Sequence, residues 1–164
     1  MTRTTGFTMQ GPLKQLPIIV KAARKSDVRS QFAALCYRRE RGKLRVLLVT
    51  SRGSKRWIVP KGWPMDRMTP AACAAREAWE EAGVVGQPYD QCLGLYSYTK
   101  LDSSGVMLPC VAMVYPIHVK SLSDHFPEHD QRKRKWFSPK KAARKVDEPE
   151  LARIIRDFDA RGLG

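Results

Sequence analysis

The chain is poor in acidic residues, with 16 Asp and Glu against 30 Lys and Arg and a net charge of +14. The first acidic residue is Asp27, so the sequence opens with a basic stretch that contains no acid at all. A field of this sign attracts polyanions such as nucleic acid, nucleotides and densely phosphorylated small molecules. The composition therefore favours a phosphate-rich ligand over a merely soluble basic surface.

Cysteines are few, and long apolar runs are missing. The four cysteines are far apart and none belongs to a Cys-x-x-Cys pair. This argues against a zinc site or a disulfide framework and favours free thiols in a reducing compartment. No apolar run approaches the roughly 20 residues of a membrane span, and the start lacks the apolar region and cleavage site of a secretory signal. We therefore expect a cytoplasmic protein with no membrane partner, and the sequence sets no expectation for its oligomeric state.

The length of 164 residues suits one domain. Residues 1–29 are predicted to form a basic N-terminal arm; they faintly resemble an organelle transit peptide, but a solvated tail is the favoured interpretation. Residues 30–160 are predicted to form an α/β domain, a mixed sheet with helices on both faces. Strands are predicted at 32–37, 44–50, 57–59, 92–99 and 107–119, helices at 70–82, from 139 and at 148–160, and loops at 61–67 and 121–135.

Residues 76–83 concentrate three glutamates, Glu77, Glu80 and Glu81, in a chain that is otherwise basic. In a helix each residue advances by about 100°, so the three side chains share one face. They precede Gly83, where the negative end of the helix dipole disfavours anions. Such crowding requires a divalent cation or a close cluster of Lys and Arg, and a simply solvated acidic face is the less favoured interpretation.

The segment from Gly62 to Val84 resembles the Nudix box, in which a glycine loop precedes an Arg-Glu-x-x-Glu-Glu-x-Gly helix. The residues in register are Gly62, Arg76, Glu77, Glu80, Glu81, Gly83 and Val84. The first glutamate of the box falls on Met68, which cannot bind a hard cation, and this leaves the number of metals open. Asp66 is favoured as a plain loop residue over a substitute ligand. The resemblance implies a Nudix-type α/β/α sandwich that hydrolyses a phosphoanhydride bond with Mg²⁺, or with Mn²⁺ in its place.

The same resemblance implies roles for individual residues. Glu77, Glu80 and Glu81 are expected to hold the metal, and Glu77 or Glu81 is expected to act as the base as well. Arg76 is expected to orient a carboxylate through a bidentate pair. Gly62 is expected to let the loop backbone approach the helix and the substrate closely.

Two flanking segments, 56–62 and 132–137, resemble the diphosphoinositol polyphosphate phosphohydrolases, a group in which diadenosine polyphosphate hydrolysis also occurs. Lys61 stands where that group more often has glycine. Glu128 stands where related enzymes place an extra catalytic or metal-binding carboxylate, with an ordinary surface salt bridge as the equal alternative. Seven cations are candidates to bind the phosphates of the substrate, and we expect only about half of them to touch it, the others being solvated surface charges. They are Arg52, Lys55, Arg56, Lys61, Arg132, Lys133 and Arg134.

Two other functions stay open. One is a basic nucleic-acid-binding protein with a degenerate box, although the chain lacks the interleaved aromatic and basic residues of single-strand binders. The other keeps the enzyme and moves its substrate to capped RNA, ADP-ribose or nucleoside triphosphates, because the sequence contains no base- or sugar-selecting motif. The three histidines lack the spacing of a metal site and are expected to be structural or exposed.

Overall fold

The computed structural model describes residues 28–101 and 103–163, so the arm predicted at 1–29 lies almost wholly outside the described residues. The strands in this part of the chain are β1 Arg29–Glu40, β2 Lys43–Thr50, β3 Trp57–Ile58, β4 Lys61–Gly62, β5 Val84–Pro88, β6 Gly94–Leu101, β7 Met107–Leu122 and β8 Arg134–Phe137. The α-helices are α1 Pro70–Ala82, α2 Pro139–Lys145 and α3 Pro149–Asp157. Within these described ranges, no helix combines the length and apolar character needed to cross a membrane.

The described strands all belong to one mixed sheet with the order β3-β2-β1-β7-β5. Strand β1 is central: it runs parallel to β7 and antiparallel to β2 and β4. Strand β6 pairs with β7, and β8 pairs with β2. The predicted mixed sheet is therefore confirmed.

Two hydrophobic cores lie on opposite faces of this sheet. Successive side chains of a strand point to opposite faces, so Leu35 of β1 joins the core beneath α2 and α3, while Ala34 and Cys36 join the core beneath α1. The result is a three-layer α/β/α arrangement, as the resemblance implied. The four cysteines all lie in the described part and are free, as predicted.

Helix α1 has the bounds that its end signals predict. The Thr69 side chain accepts a hydrogen bond from the first turn, and Pro70 fills the first helical position. Gly83 ends the helix in the left-handed conformation, with φ 67°. Small side chains on the buried face bring the helix backbone close to the sheet. These buried alanines are Ala71, Ala74, Ala78 and Ala82.

Four predictions of secondary structure are wrong in detail. Lys61–Gly62 lies in the predicted loop 61–67 but pairs with β1, and a two-residue strand is too short to show a pattern. Strand β5 has no predicted counterpart, because its Gly and Pro mask the alternation of a strand that pairs with β7. Strand β8 begins at Arg134, inside the predicted loop 121–135, because β2 supplies a partner. Helix α3 ends at Asp157, before the predicted end at residue 160.

Candidate active site

The acidic face of α1 lies against β4. A Cβ atom added to Gly62 would overlap the carboxyl group of Glu77, so only glycine leaves room for that side chain. The backbone N–H of Lys61 donates to Glu81 Oε2 at 3.1 Å. Strand β4 therefore positions two of the three glutamates, one by close contact and one by a hydrogen bond.

Glu81 and Arg132 form a buried ion pair at the centre of the site. Arg132 Nη2 lies 3.1 Å from Glu81 Oε1, and the two side chains are 7% and 8% exposed. The same nitrogen lies 3.3 Å from Glu128 Oε1, and Nη1 donates to the Thr50 carbonyl oxygen at 3.0 Å. Both terminal nitrogens of Arg132 are therefore used inside the protein, where they join α1 to β2 and to the segment before β8.

Burial and like charge raise the pKa values of these glutamates. Burial, followed by the charges of Glu80 and Glu128, raises the pKa of Glu77 to about 7. Burial also raises the pKa of Glu81, against the opposing effect of Arg132. Glu77 therefore changes its protonation state close to neutral pH, which is where a general base works best.

Arg76 and Glu80 occupy the outer part of the same helical face. Arg76 Nε donates to Glu80 Oε1 at 3.0 Å, which makes a surface pair at i,i+4. The Glu80 carbonyl oxygen accepts a hydrogen bond from the Glu128 N–H at 3.0 Å. This bond holds the segment that carries Glu128 against the helix, so all four carboxylates lie on one side of α1.

These four carboxylates supply the oxygen donors that Mg²⁺ prefers. The Glu77 carboxylate makes no ion pair within the described residues, and the others use part of their capacity on arginine. Because an ionised carboxylate offers about four lone-pair sites, the donor set fits a hard cation in type. In the described part of the chain, no three Asp, Glu, His or Cys side chains form a ready metal-binding cluster. Asp66 and Met68 are exposed.

The predicted phosphate-binding cations do not all converge. Arg52 and Lys55 lie in the exposed loop after β2, where Arg52 approaches Glu128 Oε1 at 3.5 Å. Lys133, which follows Arg132, is also exposed, and its backbone bonds to Thr50 at the end of β2. Arg134 instead closes the end of α1: its Nη1 donates to the carbonyl oxygens of Ala82 and Ser123 at 2.6 and 2.7 Å.

Arg56 points to the other face of the sheet. Its Nη1 donates to Glu148 Oε1 at 2.8 Å, at the start of α3. The ammonium of Lys61 lies 4.9 Å from the centre of the Tyr98 ring. Burial lowers the pKa of Lys61, while the charges of Glu81 and Glu148 raise it. Lys61 thus lies between two arginine–carboxylate pairs, one on each face.

Glu148 is a site residue that the sequence-based reasoning missed. It is buried, and its Oε2 atom has no hydrogen-bond partner among the described residues. In the sequence it is an ordinary acidic residue before Pro149, at a predicted helix start. Only the contact with Arg56, across 92 positions of the chain, distinguishes it, and no local signal contains that information.

The family profile and the similar proteins all indicate the same family. The profile of the NUDIX domain matches residues 29–158. The chain is 36% identical over 115 residues to Nudix hydrolase 16, mitochondrial, of Arabidopsis thaliana, a match that covers 67% of this chain and 63% of the relative. It is 34% identical over 107 residues to diphosphoinositol polyphosphate phosphohydrolase 3-alpha of Homo sapiens, which covers 64% of this chain and 61% of the relative. The matched segment therefore spans less than two thirds of either relative.

Solved structures share the fold. The crystal structure of the C. elegans Ap4A hydrolase superposes with a TM-score of 0.56 at 21% identity, covering 81% of this chain and 97% of that one. A NUDIX hydrolase from Nitrosomonas europaea gives a TM-score of 0.60 at 21% identity, covering 79% and 86%. At these identities the likeness establishes the α/β fold.

Proposed function

The chain belongs to the NUDIX family, and on that premise we propose that it is a Mg²⁺-dependent pyrophosphohydrolase. Its substrate is a polyphosphorylated small molecule of the diphosphoinositol polyphosphate or dinucleoside polyphosphate class. The observation that supports this most is the position of Glu77 and Glu81, which β4 and Arg132 hold next to an exposed cationic loop. Fixed carboxylates beside free cations are what anhydride hydrolysis requires.

In this proposal Glu77, Glu80 and Glu81 hold Mg²⁺, and we expect Mn²⁺ to bind in its place when it is supplied. When bound, Mg²⁺ supplies neutralisation of the charge on the phosphate oxygens. Glu80 is kept in place by Arg76 at 3.0 Å. Glu128 lies on the same side of the helix and shares Arg132 with Glu81, so it extends the acidic site toward the loop before β8.

Glu77 is the residue that we assign as the base toward water. Its carboxylate makes no ion pair within the described residues, so no arginine holds its oxygens. Both oxygens of Glu81 already accept hydrogen bonds, from Lys61 N–H and from Arg132. Glu81 is therefore suited to a fixed position in the site, and Glu77 to proton transfer.

The substrate phosphates are assigned to the cations that the fold leaves accessible. Arg52 and Lys55 are exposed, whereas Lys61 is left out because its side chain is half-buried and its ammonium lies over the Tyr98 ring. Arg132 and Arg134 are left out of this group because their terminal nitrogens bond to carbonyl and carboxylate oxygens of the protein. Exposed cations next to fixed carboxylates suit a ligand with several adjacent phosphates.

A phosphate-release panel tests the proposal. It should contain diadenosine polyphosphates, diphosphoinositol phosphates, nucleoside triphosphates and ADP-ribose, each with Mg²⁺, with Mn²⁺ and with EDTA. We expect metal-dependent cleavage in at least one of the first two classes and none with EDTA. Tight retention of RNA or DNA on filters, with no cleavage of any substrate, would contradict the proposal and favour the nucleic-acid-binding alternative.

A cytoplasmic location is part of the same proposal. The Arabidopsis thaliana relatives are named as mitochondrial, so location deserves its own measurement. A fluorescent fusion to the C-terminus of the full chain should give a diffuse cytoplasmic signal. Coincidence of that signal with a mitochondrial marker would contradict this part of the proposal.

A further inference from the structure

A second basic region lies at the end of β1 that is remote from the catalytic glutamates. Gly62 pairs with Phe32 near the start of β1, whereas Tyr37 and the residues after it line a surface cavity of about 440 Å³. Tyr37 lies five positions after Phe32 along the strand, which corresponds to roughly 17 Å. The volume falls in the range of about 300–1,000 Å³ that is usual for small-molecule sites.

Cations gather at this cavity without matching anions. Its lining includes Arg38, Arg39, His118 and Lys120, and Lys120 Nζ lies 3.3 Å from His118 Nδ1. Arg39 and Lys120 have no carboxylate within ion-pair distance among the described residues. Arg38 meets Glu40 at 3.2 Å, and its guanidinium lies over the Trp136 ring at 4.1 Å, so we do not count its charge toward the cavity. The cavity therefore has an excess of positive charge.

Other titratable groups near the cavity do not remove this excess. Hydrogen bonds from Arg161, at 2.8 to 3.1 Å, are the main cause that lowers the pKa of Asp159, and the charge of Arg39 adds the smallest contribution. Burial, followed by the charges of Lys120 and Arg39, lowers the pKa of His118.

Aromatic rings give the cavity a fixed wall. The rings of Tyr37 and His118 are stacked, with centroids 5.0 Å apart and planes 6° from parallel. Phe158 packs edge-on against Tyr37 at 5.0 Å, and Tyr89 is part of the lining. The two stacked residues are also direct partners in the β1–β7 pairing, so the backbone holds the stack in place.

We propose that this cavity is a second anion-binding site, which takes the phosphate group of a small phosphorylated molecule between Arg39 and Lys120 and places the rest of the molecule against the Tyr37–His118 stack. Unpaired cations beside a rigid amphipathic wall are suited to such a ligand. The inference does not depend on hydrolysis, because none of these residues belongs to the proposed active site.

The test uses proton NMR of the full chain, whose three histidines give few imidazole signals to assign. Inorganic pyrophosphate and AMP are titrated separately in EDTA. We expect the His118 signal to shift and saturate, and its pKa to rise, because a bound anion offsets the charges of Lys120 and Arg39. His125 and His129, near the segment that carries Glu128, report binding at the catalytic side separately.

The variants make the test specific. Arg39→Gln combined with Lys120→Gln should abolish the His118 shift, whereas Arg41→Gln combined with Lys43→Gln, exposed on the neighbouring β1–β2 turn, should keep it. Both double variants should keep the wild-type rate of phosphate release.

A response to both probes supports a phosphate ester as ligand, and a response to pyrophosphate alone supports an inorganic one. The inference is overturned by the absence of a saturable His118 shift below about 10 mM, or by an equal shift in the Arg39→Gln, Lys120→Gln variant.

Discussion

The two sides of the candidate active site hold their charges in different ways. On the α1 side, Arg132 and Glu81 are paired and 7% and 8% exposed. In the loop that follows β2, Arg52 is 63% exposed and Lys55 is exposed as well. Removing one partner of a buried pair costs about 3–5 kcal/mol, whereas an exposed pair contributes roughly 0–1 kcal/mol. The comparison teaches that some cations of this basic chain hold the carboxylates in place, whereas others stay exposed.

The largest effect should come from the buried side, in Glu81→Gln. Loss of a metal-binding carboxylate removes several kcal/mol of transition-state stabilisation, so we expect kcat to fall about 100-fold or more. Phosphate release at saturating substrate measures this, with circular dichroism to show that the variant is folded. Lys55→Gln is the control from the exposed side and should keep kcat. Wild-type turnover in folded Glu81→Gln would remove the distinction between the two sides.

Arg132→Met should destabilise the fold, because it leaves the buried Glu81 carboxylate without its arginine and removes one of the two arginines that contact the half-buried Glu128. The expected loss is about 3–5 kcal/mol in the free energy of unfolding, which corresponds to a Tm lower by roughly 6–20 °C. Lys133→Met is the matched control, since that side chain is exposed and its removal should change stability by no more than about 0.5 kcal/mol. Equal urea midpoints for the two variants would show that burial of the arginine is unimportant.

Gly62→Ala and Gly53→Ala compare a glycine in the buried part of the site with a glycine in the exposed loop. The new methyl group would overlap the Glu77 carboxyl group, so we expect a loss of about 1–3 kcal/mol in stability together with a lower kcat. Gly53→Ala, in the exposed loop, meets nothing within 4 Å and should be neutral within about 0.5 kcal/mol. Thermal unfolding and phosphate release on both variants measure the difference. If Gly62→Ala changes stability and kcat as little as Gly53→Ala does, the close contact that we describe between β4 and α1 does not exist.

Glu77→Gln should act on stability in a pH-dependent way. The pKa of Glu77 rises from 4.5 to about 7 on folding, so the folded state disfavours the ionised carboxyl. The wild type therefore loses stability as the pH rises from below 4.5 to above 7. Without metal, Glu77→Gln should be more stable than wild type by about 1–3 kcal/mol near pH 8, and this gain should disappear near pH 4. Urea denaturation in EDTA at both pH values measures this gain. If the stability difference between Glu77→Gln and the wild type is the same at both pH values, the raised pKa of Glu77 is not its cause.

Local signals predicted some parts of this molecule and could not predict others. Helix α1 was accessible to prediction because Thr69, Pro70 and Gly83 mark its ends within the segment itself. Strands β4 and β8 were not, because they are short and exist through pairing with β1 and β2.

The candidate site shows the same division. The Nudix box brought Gly62 and the three glutamates together, because their spacing is local. The partners of the arginines are determined by tertiary packing: Arg134 lies at the end of α1, and Arg56 pairs with Glu148 at the start of α3. Residue type therefore identified the cations, but only the fold separates those that bond within the protein from those that stay exposed.

The central claim is that the glutamates of α1 bind a divalent cation. Electron paramagnetic resonance of Mn²⁺, titrated with the wild-type chain and with the Glu77→Gln, Glu81→Gln double variant, tests it without any assumption about the substrate. The account predicts that the wild type depletes the signal of free Mn²⁺ in a saturable way that Mg²⁺ reverses, and that the double variant binds at least about 10-fold more weakly. Equal Mn²⁺ binding by the two proteins, or none by the wild type, would contradict it.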